Sequence, residues 1–346
     1  MRRLNAVPLV FIGLSILGVY FSKMGVAFVA NEVLIRFIRD GVLVLALVIP
    51  IAAGMGLNFA IIVGSMCAQV GLIIAVDFQV QGAAGLLLIC AVGIPLALGA
   101  GLLIGMCLNR VKGKEMITTI IIGFVATSIY QLVFMVGYGT LIKPHNTAMM
   151  LSRGIGIRNM VDLDKFRNLI DNIWTLSMGP IQVPLFMILV VLGFAGLVHY
   201  VLHTRLGRLF RAVAESGERA ELAGIDVEKV RIKAMMLSTV LACLGQVIYT
   251  QNIGMLNVYT AHLNSDIFSC AALLAGGATI YKARVRHALA GIFLFHTLFI
   301  VSPQAGQNLF TNAALGEYFR TFIAYGTIAF ALMMNIRRDM ARQADR

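Results

Sequence analysis

Along most of this chain the polar positions are too sparse to outline one face of a helix. Apolar runs of about twenty residues, the length that crosses a bilayer, follow one another with short polar breaks. They lie at 4–22, 40–57, 59–77, 83–108, 116–138, 183–203, 232–253, 266–280, 286–302 and 320–336. "LNAVPLVFIGLSILGVYF" from Leu4 and "VPLFMILVVLGFAGLVHYVL" from Val183 are typical. One amphipathic core could not absorb so many such runs. The pattern predicts an all-α polytopic membrane protein, a single domain over 1–346, with about ten transmembrane helices in a compact bundle.

Three stretches depart from the pattern. "PIAAGMGLNF" (50–59) interrupts an apolar stretch with Pro and Gly, and reads as a tight reversal or a broken helix. A single long kinked helix is the alternative and gives nine crossings. Residues 139–182 form a long extracytoplasmic loop in which Leu163, Phe166, Leu169, Ile170 and Ile173 recur at helical spacing, predicting a surface helix over Asp162–Trp174. Residues 204–233 carry a charge at nearly every turn.

Charge then orients the chain. Only 13% of residues are charged, 59% are apolar, and the net charge is +12. The cations are not a nucleic-acid surface. They cluster between apolar runs, in "MRR", "NRVKGKE", "TRLGRLFR", "YKARVRH" and "RRDMARQADR", and ten crossings place all five clusters on one side. By the positive-inside rule that side is cytoplasmic, with both termini, and the membrane is a bacterial inner membrane. The N-terminal run lacks a small-residue cleavage site and reads as a retained helix. Glycines in "VGIPLALGAGLLIG" (92–105) suit close helix packing. The five cysteines lie scattered and the histidines form no HExxH motif, so no metal site is assigned.

Within 204–233, Ser216 is a good N-cap with Glu218 in the first turn, and Gly224 can end a short helix. Asp226 can cap a second helix that runs into the next span from Val230. Residues alone leave two readings, an ordinary charged loop or a built cytoplasmic element.

The order of residues goes further. In "RLGRLFRAVAESGERAELAGIDVEKVRIKAMMLSTVLACLGQVI", the positions Arg211, Ala212, Val213, Ala220, Gly224, Ile225, Val227, Lys229, Leu237, Ser238, Leu241 and Ala242 match a pattern. It resembles the cytoplasmic loop of ABC importer permeases of the ribose and simple-sugar, branched-chain amino acid and nucleoside group. "AALLAGGATIYKARVRHALAGIFL" (271–294) is similar to a second motif of that group through Gly276, Gly277 and Gly291, with Tyr281 and Lys282 in place of its second Gly pair. A looser likeness covers Asn58, Gly64, Gln69 and Gly71. Ala214, Thr239 and Cys243 depart where the group commonly has Gly. The resemblance implies that Glu215, Ser216, Gly217, Glu218, Arg219, Ala220, Glu221, Leu222, Ala223 and Gly224 form a coupling helix seated in an ATPase subunit. It also implies a second permease subunit, identical or paralogous, two cytoplasmic ATP-binding subunits and an extracytoplasmic solute-binding protein. ATP and Mg would belong to the partner, and this chain has no G-x-x-x-x-G-K-[ST] and no cofactor of its own.

Polar residues inside spans are costly and face a cavity or a neighbouring helix. The candidates for a translocation path are Asn58, Gln69, Tyr130, Gln131, Gln246, Tyr249, Asn252 and His296. No Asp or Glu is expected deep in a span, which disfavours a proton-driven carrier. Neutral polar and aromatic groups suit a small neutral solute such as a sugar, a nucleoside or a flavin-like heterocycle. An ion-gradient-driven carrier and a non-transporting membrane scaffold are the competing readings. No nucleophile with ordered His and Asp partners appears, so catalysis is not expected.

Overall fold

The structure, a computed structural model, describes residues 6–151, 156–164, 166–167 and 169–344. The basic "MRR" start lies outside the described residues. Helices cover each of the expected apolar segments. They are α1 (Ala6–Ser22), α2 (Val26–Ala46), α3 (Val48–Ala52), α4 (Ile61–Asp77), α5 (Gly82–Arg110) and α6 (Glu115–Leu132). After a long loop come α7 (Leu185–His203), α8 (Arg205–Glu215), α9 (Gly217–Leu222) and α10 (Val227–Ile253). The chain ends with α11 (Ser265–Ala275), α12 (Val285–Phe310) and α13 (Ala313–Ala344).

Among the described residues, five helical stretches are long and apolar enough to cross a membrane: Gly82–Arg110, Glu115–Gly137, Leu185–His203, Val227–Ile253 and Val285–Phe310. Shorter apolar helices lie at Val7–Ser22, Ile61–Asp77 and Ser265–Ala275. This is a multi-pass helical membrane protein.

Helix α10 is the centre of the bundle, packing on α5, α4 and α2. Small residues let it do so. A Cβ at Gly101 would sit 2.6 Å from the Met236 Cα, and one at Gly105 would sit 2.8 Å from the Ile232 Cα. Side chains there would push α5 off α10. The 50–59 stretch is a tight reversal: α3 ends, Gly54 and Gly56 take φ of +76° and +72°, and α4 begins at Ile61.

Two expectations are corrected. Helix α2 starts well before residue 40 and carries Glu32, Arg36, Arg39 and Asp40, so ionisable groups do lie inside the bundle. The surface helix over 162–174 is absent among the described residues. Met160–Asp162 instead form β1, antiparallel to β4 (Met255–Asn257), and only Asp171–Ile173 make a single 3₁₀ turn. The Asp162 carboxylate accepts the Asp164 N–H at 2.9 Å, a local turn that competes with helix. Leu163 and Phe166 are buried all the same, whereas Ile173 is exposed. A second ribbon, β2 (Thr175–Met178) with β3 (Ile181–Pro184), completes the long loop between α6 and α7.

Candidate functional site

The charged segment folds as its sequence predicts. The Ser216 Oγ accepts the Arg219 N–H at 3.3 Å and caps α9, and Gly224 leaves the helix with a φ of +77°. The Asp226 Oδ1 accepts the Lys229 N–H at 3.0 Å and caps α10. That N–H, with the Lys229 ammonium, holds the Asp226 carboxyl below its usual range. Ala220 faces inward, while Glu218, Arg219, Glu221 and Leu222 are exposed, Leu222 at 84%. An apolar side chain that open, at the tip of a capped helix, has no partner within its own chain.

The segment is tied to two inter-helix turns. A Cβ at Gly54 would sit 2.7 Å from the Ala214 Cα, so the α3–α4 turn lies directly against α8. The α5–α6 turn is held at three points. Lys112 Nζ lies 3.7 Å from Glu221, Asn109 Nδ2 donates to the Glu228 carbonyl at 3.1 Å, and Arg231 Nη2 meets Glu115 Oε1 at 2.7 Å. The exposed lysine pair is worth about 0–1 kcal/mol. Arg231 and Glu115 are largely buried, and Arg231 also donates to the Leu108 carbonyl at 3.2 Å, so this is the firm link.

Glu115 is the first residue of α6, and farther along α6 walls a cavity of about 430 Å³ between α4, α6, α11 and α13. Phe59, Ile62, Phe124 and Ile328 are among its apolar lining, with Thr127, Asn264, Asp266 and Tyr325 as its polar groups. The Asp266 Oδ1 accepts the Ile267 N–H at 2.8 Å.

Four of the predicted path residues gather beside this cavity under the 259–262 segment. Gln69 Oε1 lies 3.0 Å from His262 Nδ1, and the Tyr130 ring packs on His262 at 4.9 Å. Gln131 donates to the Tyr259 carbonyl at 3.1 Å and Gln246 to the Ala261 carbonyl at 3.4 Å. Among the described residues, Gln69 Nε2, Tyr130 Oη, Gln246 Oε1 and His262 Nε2 are buried with no hydrogen-bond partner. Stranded buried polar atoms are expensive, and here four stand together. His262 is fully buried.

The remaining path residues lie elsewhere. Asn58 accepts the Ala60 N–H at 3.0 Å and reaches Ser238 at 3.4 Å, a helix-to-helix link. Asn252 donates to Asp171, in the long loop between α6 and α7, at 2.7 Å. Tyr249 and His296 belong to an interior charged group that sequence reasoning missed. His296 Nε2 lies 3.3 Å from Asp40 Oδ2, the Arg39 guanidinium lies 5.3 Å from the Tyr249 ring centre, and those of Arg36 and Arg320 lie 5.4 and 5.1 Å from that of Phe299. Four charges in ten residues of α2 (Glu32, Arg36, Arg39, Asp40) were the available signal, hidden because they broke the apolar run.

A helical bundle with an exposed, capped handle on one face, a walled cavity and a group of unsatisfied buried polar atoms beside it is the build of a transport subunit. The chain belongs to the family described as the branched-chain amino acid transport system / permease component, whose profile matches residues 13–334. It is 28% identical over 263 residues, 74% of this chain and 72% of the relative, to the fructose import permease protein FruG of Bifidobacterium longum (strain NCC 2705). No solved structure matches the chain.

Proposed function

We propose that this chain is the membrane-spanning subunit of an ABC importer that moves a small neutral polar solute inward by alternating access, driven by a separate ATPase. The observation that carries this is the continuity of α6. Its inner end is fastened by the Glu115–Arg231 pair to the helix that follows the handle, and its length walls the cavity beside Gln69, Tyr130, Gln131 and Gln246. Closure of an ATPase pair around α9 would shift α9 and α10 as a body and tilt α6 through that link. The stranded groups of Gln69, Tyr130 and Gln246 are uncharged donors and acceptors, which suits hydroxyl or amide groups on the solute, and the Asp266 carboxylate on the cavity wall is a further acceptor for a hydroxyl. The named activity of FruG supports a sugar within that class. A second permease subunit, two ATP-binding subunits carrying ATP and Mg, and an extracytoplasmic binding protein complete the assembly. The membrane is the bacterial inner membrane, with both termini cytoplasmic.

A cysteine at Arg219, cross-linked in native membranes, tests the docking. Capture of an ATP-binding subunit, released or shifted by ATP, is expected. Absence of any protein adduct from a normally expressed variant would remove 212–233 from the coupling role. One observation favours a second reading. The Asp40–His296 pair is the kind of titratable interior group an ion-driven carrier uses. That carrier would take up solute with ATP depleted and a proton gradient maintained.

A further inference from the structure

The inner ends of α7 and α12 flank a cavity of about 850 Å³ that the proposed cycle does not use. Arg211 from α8 and Lys282, Arg284 and Arg286 from the α11–α12 connection and the start of α12 line it, with His199 and His203 at the end of α7. Among the described residues, Glu215 is the single carboxylate on its wall, and none of the four lysine and arginine side chains is in an ion pair. The contrast with the same face is informative. Lys112, Lys229 and Arg231 each have an acidic partner in Glu221, Asp226 and Glu115. Like charges gathered in one concavity repel, and an anion with several acceptor oxygens converts that repulsion into binding.

Position selects the anion. The cavity lies where two candidate membrane spans, Leu185–His203 and Val285–Phe310, reach their basic ends. Leu202 and Val285 give its wall an apolar part, and Tyr200 and Tyr281 stand exposed nearby at 68% and 66%, as tyrosines do at a membrane border. Basic pockets between helices at this level hold lipid headgroups. Tyr281 and Lys282 stand where the resembled permeases carry a Gly pair, so this chain supplies the pocket with side chains of its own.

We propose that this cavity binds the headgroup of an anionic phospholipid. The proposal depends on this face being the cytoplasmic membrane border, and on neither the solute nor the ATPase partner. The test is native mass spectrometry of the full-length protein in detergent, titrated with phosphatidylglycerol and, separately, phosphatidylethanolamine. Retention of phosphatidylglycerol in preference is expected. Lys282→Ala with Arg284→Ala and Arg286→Ala should lower its apparent affinity at least about tenfold, each lost cation removing part of the attraction. Arg205→Ala with Arg208→Ala, outside the cavity, should leave it unchanged. If the triple variant does not purify as one species, Arg211→Gln on the α8 wall should weaken retention severalfold. Equal retention by cavity and control variants, or of the two lipids by the wild type, would overturn the proposal. So would displacement of the lipid by millimolar inorganic phosphate that itself stays bound, since the ligand would then be a soluble phosphate.

Discussion

Gly71 has no room for a side chain: a Cβ there would sit 2.6 Å from the Ile89 carbonyl oxygen, backbone that cannot yield without moving α5. Gly71→Ala should therefore cost about 1–3 kcal/mol, as overpacking does, and lower the melting temperature of the purified protein. Gly99→Ala, whose Cβ would meet nothing within 4 Å, is the matched control and should be neutral or slightly stabilising. The Glu115–Arg231 pair makes a second prediction at this scale. Glu115→Gln leaves a largely buried guanidinium facing a neutral amide, a loss of about 3 kcal/mol, at the lower end for broken buried pairs. On the proposed function it should also lower ATP-driven uptake more than it lowers the amount of folded protein in the membrane. Uptake that falls only in proportion to folded protein would separate the pair from coupling. The caps at Ser216 and Asp226 were legible because their partners lie three residues away. Asp40 was not, because its partner His296 is brought to it only by packing of α2 on α12.

At the scale of elements, α9 is too short to hold itself together, so its Ser216 cap and the inward packing of Ala220 keep it in place. What it presents outward, Leu222 above all, is free to vary without cost to the fold. Leu222→Glu should leave the melting temperature unchanged and abolish co-purification of the ATP-binding subunit, along with ATP-driven uptake. A variant that still holds its partner would place the docking surface elsewhere on α8 or the basic turns. The apolar segments and the reversal at 50–59 could be read directly, since hydropathy and Gly–Pro punctuation are local properties. The stretch 162–174 could not. Leu163 and Phe166 are buried at a helical spacing, but the chain enters the stretch from β1, whose partner β4 lies far along the chain, and turns at Asp162 instead of winding on. The start of α2 was missed for the opposite reason, since charged residues held inside the bundle look like a loop to a hydropathy window.

For the whole molecule, the issue is where the energy enters. The handle and its link to α6 lie at one end of the bundle, whereas the Asp40–His296 group lies within it, between α2 and α12. An ATP-driven importer needs the first and can keep the second as architecture or as a solute contact. An ion-driven carrier needs the second to gain and lose a proton in each cycle, and gives the handle no task. Asp40→Asn separates them, because the amide preserves shape and removes the titration. If ATP is the source, uptake by the variant should retain its full dependence on ATP and its insensitivity to a protonophore, with any change falling on the apparent KM for the solute. Were the gradient the source, accumulation should cease in the variant, and in the wild type it should follow the proton gradient with ATP depleted. The four stranded polar atoms bear on the same choice, since none of them belongs to a carboxylate. Asp266 on the cavity wall is a further titratable group, and on the proposed function the handle, and neither Asp40 nor Asp266, is expected to govern the cycle.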